Sequence, residues 1–169
     1  MLGIRPYRSG DAAVIIRWCA DEDAFFKWTA GRMGAFPLTE ERLQEALSGR
    51  IDNDRFFPFV AVEDDRVVGF FILRRPGEDP GVLRFGFVIV DPLLRGKGYG
   101  KRMLRLGLRY AFEIYGAERV TLGVFEDNPP ACHCYQAAGF TILPEKEIYE
   151  GNGRQWACIE MAAEREPMT

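Results

Sequence analysis

The sequence contains a single histidine, His133, and this scarcity restricts the catalytic machinery that the chain can carry. A Ser-His-Asp or Cys-His site would have only one possible imidazole base. The four cysteines include one C-x-C pair but no C-x-x-C spacing, which is the spacing typical of structural zinc sites. A metal site built from Cys132, His133 and Cys134 is disfavoured, because adjacent residues of a helix point in divergent directions. We therefore expect free thiols and no metal.

The chain also lacks a long apolar run and an excess of positive charge. Its apolar runs, such as Val67 to Leu73, fall far short of the ~18 residues that a membrane span requires. The first residues do not show a basic segment followed by an apolar stretch, so we expect no secretory signal and a cytoplasmic location. Lys and Arg number 22 against 25 Asp and Glu, and the resulting net charge of −3 argues against bulk affinity for nucleic acid or membrane.

The organisation of the chain predicts one α/β domain over residues 1–169, because repeats, low-complexity tracts and linkers are missing. Apolar periodicity and turn residues predict strands over 2–7, 56–63, 67–76, 82–91, 119–125, 140–143 and 155–161. Helices are predicted over 9–19, from the Thr39 cap to Gly49, over 98–115, and after Asn128. The segment from Asp21 to Phe36 has no clean period, and we predict a loop there.

A glycine-rich turn, "DPLLRGKGYGKRM" over residues 91–103, lies between a predicted strand and a predicted helix. Alternating glycines allow the backbone to approach a ligand closely, and the amides of the turn and of the helix start point at negative charge. The turn therefore suits a phosphate. Two standard phosphate motifs do not fit, since Lys97 is followed by Gly98 rather than Ser or Thr, and Lys101 stands where the dinucleotide turn needs a glycine.

The remaining pattern, R-x-x-G-x-G at Arg95, Gly98 and Gly100, resembles the GNAT superfamily of coenzyme-A-dependent N-acetyltransferases. The segment "NPPACHCYQAAGF", from Asn128 to Phe140, is similar to a second signature of that family, in which an Asn precedes a short helix bearing a Tyr and a Gly-Phe enters a strand. The order of predicted elements also matches, so the resemblance extends over nearly the whole chain.

The resemblance implies a mixed, mostly antiparallel sheet of about seven strands flanked by about four helices. Two parallel strands, "FGFVIVD" and "VTLGVF", would splay apart and hold acetyl-coenzyme A between them. The pantetheine amides would then pair with the backbone of the first of these strands. The implied cofactor-binding residues are Phe87, Val88, Ile89, Val90, Arg95, Gly96, Lys97, Gly98, Tyr99, Gly100, Lys101, Asn128 and Tyr135.

The resemblance further implies direct attack of a neutral primary amine on the thioester, with both substrates bound at once. Tyr135 occupies the position of the acid that meets the leaving thiolate, and we expect it to act as a hydrogen-bond donor. Some relatives carry a base where this chain has Gly123, so Glu126 is the expected replacement. Other possibilities for the base are a water relay, Asp127 and Asp91, and Glu22 and Asp23 could instead attract a cationic acceptor.

The acceptor is expected to be a small-molecule or peptide amine bound beside the first two helices, near Phe25, Trp28, Met33 and Phe36, although these aromatics could equally close the core. The protein would be a monomer or a homodimer. Two further interpretations remain open. The chain could be a coenzyme-A-binding sensor or interaction module without turnover, or, more remotely, an enzyme that uses a nucleoside triphosphate.

Overall fold

A seven-stranded mixed sheet forms the centre of the protein in a computed structural model that describes residues 1–51 and 55–167. The strands lie in the order β1-β2-β3-β4-β5-β7-β6, and only β4 and β5 are parallel neighbours. The mixed, mostly antiparallel sheet expected from the sequence is thereby confirmed. The strand bounds are β1 Gly3–Pro6, β2 Phe56–Glu63, β3 Arg66–Arg74, β4 Val82–Val90, β5 Arg119–Phe125, β6 Thr141–Gly151 and β7 Arg154–Glu164.

The described part of the chain contains five α-helices, one more than expected. They are α1 Ala12–Ile15, which has a 3-10 turn on each side, α2 Glu22–Thr29, α3 Glu40–Ile51, α4 Tyr99–Glu113 and α5 Pro129–Ala138. Thr39 Oγ1 accepts a hydrogen bond from the amide of Arg42 at 3.2 Å, so the predicted cap of α3 is confirmed. The predicted end at Gly49 is wrong, because α3 continues to Ile51.

Helix α2 corrects the prediction of a loop over 21–36. Asp21 Oδ1 accepts a hydrogen bond from the amide of Ala24 at 2.8 Å and begins the helix. Phe25 and Trp28 pack into one core cluster, whereas Phe26 packs into a different one. The apolar residues of α2 therefore face two partners, and the helix has no single stripe that a period could reveal.

The sheet separates two main core clusters, and β4 changes its alternation between them. Leu83 and Phe85 pack on the side of α4 and α5, whereas Phe87 and Ile89 pack on the side of α1, α2 and α3. The change results from a β-bulge: the register with β3 shifts between Phe70 and Ile72, and Phe87 adopts a φ of 50°. A left-handed φ at a bulky residue is strained, and this strain is located in the middle of β4.

The parallel pair β4 and β5 is hydrogen-bonded only at one end. The register runs from Val82 opposite Arg119 to Arg84 opposite Thr121, and no further pair forms although both strands continue. The edge of β4 from Phe85 to Val90 therefore does not pair with β5. This is the splayed strand pair that the sequence predicted, and it opens a seam in the middle of the sheet.

Candidate active site

The glycine turn connects the open end of β4 to α4. Asp91 Oδ1 accepts a hydrogen bond from the amide of Leu93 at 3.0 Å and begins a short 3-10 turn. Gly96 and Gly98 follow with φ values of 78° and 83°, and Gly98 is the N-cap residue of α4. Both glycines thus adopt a conformation that side-chain-bearing residues rarely take. The bare turn predicted from the sequence is present at the start of the most amphipathic helix.

The turn presents unpaired amides and cations together. Within the described residues, the amides of 96–98 donate no hydrogen bond to the backbone. The first amides of α4 have no intrahelical partner either, and the helix dipole places positive potential at the same end. Arg95 and Lys97 are exposed on the turn, and Lys101 is half-buried in the first turn of α4. This arrangement can hold a diphosphate by main-chain donors, with side-chain charge around it.

Three elements converge behind the turn. A Cβ atom placed on Gly100 would lie 2.9 Å from Cys134 Sγ on α5 and 3.7 Å from Val90 Cγ2 at the end of β4. Glycine is therefore favoured at this position because α5 lies close to the backbone, and not because of the φ angle. Because Tyr135 follows Cys134, the expected hydrogen-bond donor lies on the helix that packs against the turn.

Tyr135 is buried against the core beside Phe140, and burial raises the pKa of its phenol well above the ordinary range. The hydroxyl has no hydrogen-bond partner in the described part of the chain. Its oxygen is nevertheless not fully enclosed by protein, because no fully buried side-chain oxygen in the described residues lacks a partner. It is therefore protonated at neutral pH and available to donate. His133 is exposed on the same helix, two residues from the buried Tyr135, so the two side chains face different directions.

An open cleft lies on the side of the seam that α2 covers. We call it the seam cleft. β4 and β5 supply its floor, α2 and the residues after it supply one wall, and β6 and β7 supply another. Its lining residues are Lys27, Trp28, Thr29, Ala30, Arg32, Ile72, Arg74, Arg84, Phe85, Gly86, Phe87, Gly123, Phe125, Tyr149 and Cys158.

An ion pair between Arg84 and Glu160 fills the space beside Gly123. The guanidinium donates to both carboxylate oxygens, at 2.7 and 2.9 Å, and the side chains are 19% and 15% exposed. Gly123 lies directly opposite Glu160 in the β5–β7 register, and a Cβ on it would lie 2.9 Å from Arg84 Nη2. The strand position where some relatives carry a base is thus replaced here by a salt bridge from the neighbouring strands.

Neither member of this pair was predicted from the sequence as a site residue. A signal for Glu160 exists, since it shares a strand face with the buried Trp156 and Cys158 and so interrupts an apolar alternation. Its position opposite Gly123 depends on long-range strand pairing and could not be inferred from spacing. Burial raises the pKa of the Cys158 thiol to about 11, so this lining cysteine is protonated at neutral pH.

The carboxylates considered as bases are engaged by other groups of the chain. Glu126 accepts from Lys146 Nζ at 3.3 Å, and Asp127 accepts from Arg154 Nη2 at 3.0 Å. Asp91 is used as a cap, as described above. On α2, Asp23 accepts from Asn152 Nδ2 at 3.0 Å, and Glu22 lines a separate, second cleft. None of these acids is a lining residue of the seam cleft.

The residues expected to contact the acceptor occupy different places. Trp28 lines the seam cleft, and its indole Nε1 donates to the Phe87 carbonyl at the bulge, at 2.8 Å. Phe25 and Phe36 line the second cleft, whereas Met33 is buried in the core and lines neither. The Trp28 bond also means that the carbonyl of Phe87 is occupied, while Val88 and Val90 remain half-buried at the unpaired edge.

Asn128 is the N-cap residue of α5, but its side chain makes no capping hydrogen bond. Its side-chain amide is therefore available to bind another group. In the described residues, no group of three or more His, Cys, Asp or Glu side chains is arranged to hold a metal ion. None of the described helices has both the length and the apolar character that a membrane crossing needs.

Known proteins are similar to this chain in sequence and in fold. A mycothiol acetyltransferase from Corynebacterium glutamicum is 28% identical over 134 residues, which is 79% of this chain and 44% of that protein. The Corynebacterium efficiens mycothiol acetyltransferase is 35% identical over 135 residues, or 79% of this chain and 43% of the relative. The chain thus spans less than half the length of these curated relatives.

Structural similarity covers more of the chain. The crystal structure of spermidine N-acetyltransferase from Vibrio cholerae in complex with CoA and spermine superposes with a TM-score of 0.81, covering 96% of this chain and 95% of that one, at 22% identity. This likeness shows the fold. The model of the acetyltransferase (GNAT) family matches residues 16–140, which include the splayed strands, the glycine turn and Tyr135. The chain therefore belongs to the GNAT acetyltransferase family.

Proposed function

We propose that the protein transfers an acetyl group from acetyl-coenzyme A to a primary amine by direct attack in a ternary complex. The observation that carries this proposal is that the unpaired amides of the glycine turn and the unpaired edge of β4 adjoin α5, the helix that bears Tyr135. Family membership and the CoA-bound structural neighbour support the same activity. When bound, acetyl-coenzyme A supplies the activated acyl group as a thioester.

The residues present fit such a co-substrate. Gly96 and Gly98 leave the turn without side chains, and their amides would hold the pyrophosphate together with Arg95, Lys97 and Lys101. The edge of β4 near Val88 to Val90 would pair with the pantetheine amides. Asn128, whose side chain is not used as a cap, lies at the start of the helix that bears Tyr135 and would contribute a polar contact.

Tyr135 would stabilise the departing thiolate by donating a hydrogen bond. Because the pKa of Tyr135 is raised, full transfer of its proton to the departing thiolate is uphill. Its role is therefore to donate a hydrogen bond rather than to deliver a proton. The proton of the attacking amine would leave through water, because Glu126 is paired with Lys146 and the other candidate acids are engaged. A water relay is therefore preferred over Glu126 as the base.

Thiol release from acetyl-coenzyme A across a panel of amines tests the proposal. We expect release with at least one amine, and a loss of about 10- to 100-fold in kcat for Tyr135→Phe with little change in the KM for acetyl-coenzyme A. A coenzyme-A-binding module without turnover is the alternative, which the engaged carboxylates favour. Tight binding of coenzyme A without release for any amine, in both the wild type and Tyr135→Phe, would establish that alternative.

A further inference from the structure

The seam cleft is lined by cations and by no carboxylate. Lys27 and Arg32 lie on the wall formed by α2 and the residues that follow it, and Arg74 and Arg84 lie on β3 and β4. The other lining residues are apolar, aromatic or small, with Thr29, Tyr149 and Cys158 as the polar side chains. An acceptor amine that enters this cleft therefore meets cations on the wall formed by α2 and at the floor.

The acids near the cleft cancel part of this charge. Glu160 neutralises Arg84, since both of its oxygens accept hydrogen bonds from that guanidinium. Asp127 Oδ2 lies at ion-pair distance from Lys27 Nζ, 3.9 Å, but the same oxygen accepts from Arg154 at 3.0 Å, so one carboxylate serves two cations. Glu147 accepts a hydrogen bond from the lining Tyr149 hydroxyl at 2.8 Å. Arg32 is exposed and has no ion-pair partner in the part of the chain that the structure describes.

This lining is the opposite of what a polyamine requires. A polycation would bring further positive charge toward Lys27 and Arg32, whereas a carboxylate or phosphate would be attracted by both. A guanidinium also offers paired donors that match the geometry of either anion. The aromatic surfaces of Trp28, Phe87 and Phe125 lie in the same cleft and suit an apolar substituent.

Building on the proposed function, we propose that the acceptor is a small molecule that carries a carboxylate or a phosphate beside its primary amine, and that Arg32 and Lys27 recognise this anion. The amine would then face the seam between β4 and β5, and the anion would face the wall formed by α2. Arg84, neutralised by Glu160, forms the floor and is not a contact for the anion.

Matched acceptors that differ only in the anion test this proposal. Phenylalanine is compared with phenylalaninamide for the carboxylate, phosphoethanolamine with ethanolamine for the phosphate, and spermidine represents the polyamines. We expect kcat/KM to be about tenfold or more higher for the anionic member of at least one pair. The amine of phenylalaninamide is the less basic of its pair, so a preference for the acid cannot come from the fraction of neutral amine.

Charge-removing variants locate the effect. Arg32→Gln and Lys27→Gln should each raise the KM for the anionic acceptor, by about threefold to tenfold, and leave the neutral acceptor and acetyl-coenzyme A unchanged. Arg109→Gln is the control, because Arg109 is an exposed cation on α4 that pairs only with Glu113 in the described structure. The variant should behave as the wild type does.

The outcomes separate this inference from the proposed function. Release of thiol with spermidine and neutral amines as readily as with the anionic members would overturn the inference and leave the acetyltransferase activity standing. An increase in the KM for acetyl-coenzyme A in Arg32→Gln, without a change for the acceptor, would assign the cations to the cofactor and also overturn it. No release with any acceptor would contradict both proposals.

Discussion

The ion pair between Arg84 and Glu160 is expected to contribute substantially to stability, because it is bidentate and mostly shielded from water. Breaking a fully buried pair by removing one partner costs about 3 to 5 kcal/mol, whereas an exposed pair is worth about 0.2 to 1 kcal/mol. With side chains 19% and 15% exposed, the pair lies between these limits. We therefore expect Glu160→Leu to lower the free energy of unfolding by about 2 kcal/mol, and the melting temperature by about 4 to 8 °C.

A double-mutant cycle measures the interaction itself. Arg84→Met, Glu160→Leu and the double variant are compared with the wild type by chemical denaturation. The double variant should lose less stability than the two single variants together, because the remaining charge of each single variant has no partner. The expected coupling energy is about 1 to 2 kcal/mol, with little dependence on salt.

The chain supplies its own control in Arg109 and Glu113, an i,i+4 pair on α4 whose side chains are 72% and 59% exposed. Its coupling energy should be about 0.3 to 0.5 kcal/mol and should fall as salt is added. The reasoning is refuted if the Arg84–Glu160 coupling is as small as that of this control pair, or is screened by salt to the same extent.

Three further perturbations address the glycine turn, the thiol of Cys158 and the hydrogen-bond donor Tyr135. Gly98→Ala should lower the free energy of unfolding by about 1 kcal/mol, because of its φ of 83° alone. Gly100→Ala should lower it by about 1 to 3 kcal/mol, because the added Cβ crowds Cys134. Equal melting temperatures of the two variants would contradict this order. The raised pKa of Cys158, about 11, predicts slower alkylation at pH 8 than for the half-buried Cys132, and mass spectrometry showing Cys158 modified first would disprove it. The phenol of Tyr135 is the donor in its neutral form and its pKa is raised, so kcat should not fall through its ionisation as the pH rises to ~10; a decline below that pH that disappears in Tyr135→Phe would show the opposite.

Much of the fold could be read from the sequence because its signals are local. The amphipathic stripe of α4, the apolar runs of β2 to β5 and the Pro129 start of α5 each lie within one element, and the structure places them as predicted. Strand β6 extends to Gly151, whereas the sequence predicted only 140–143. The longer strand was not predicted because most of its residues are exposed and show no apolar alternation. Pairing with β7 creates this strand, and no alternation in its own sequence could indicate it.

Some features of the site were predictable from the sequence and others were not. The glycine turn and the Tyr-bearing helix are contiguous motifs, and both were located from the sequence. The charge of the seam cleft comes from residues far apart in the chain, since Lys27 and Arg32 meet Arg84 only after α2 folds across the open strand pair. The bulge at Phe87 likewise depends on a register shift against β3 and on the Trp28 hydrogen bond. Properties that depend on tertiary pairing were therefore outside the reach of pattern and spacing.

We propose that main-chain amides between Arg95 and Gly100 hold the diphosphate of coenzyme A. Titration of the isotope-labelled protein with coenzyme A, followed through the amide signals in two-dimensional NMR, tests this contact. The signals of Gly96, Gly98 and Gly100 should shift most, while those of Gly77 and Gly153 in other turns should stay in place. Unmoved signals from the glycine turn at a saturating concentration of coenzyme A would show that these amides do not bind the diphosphate.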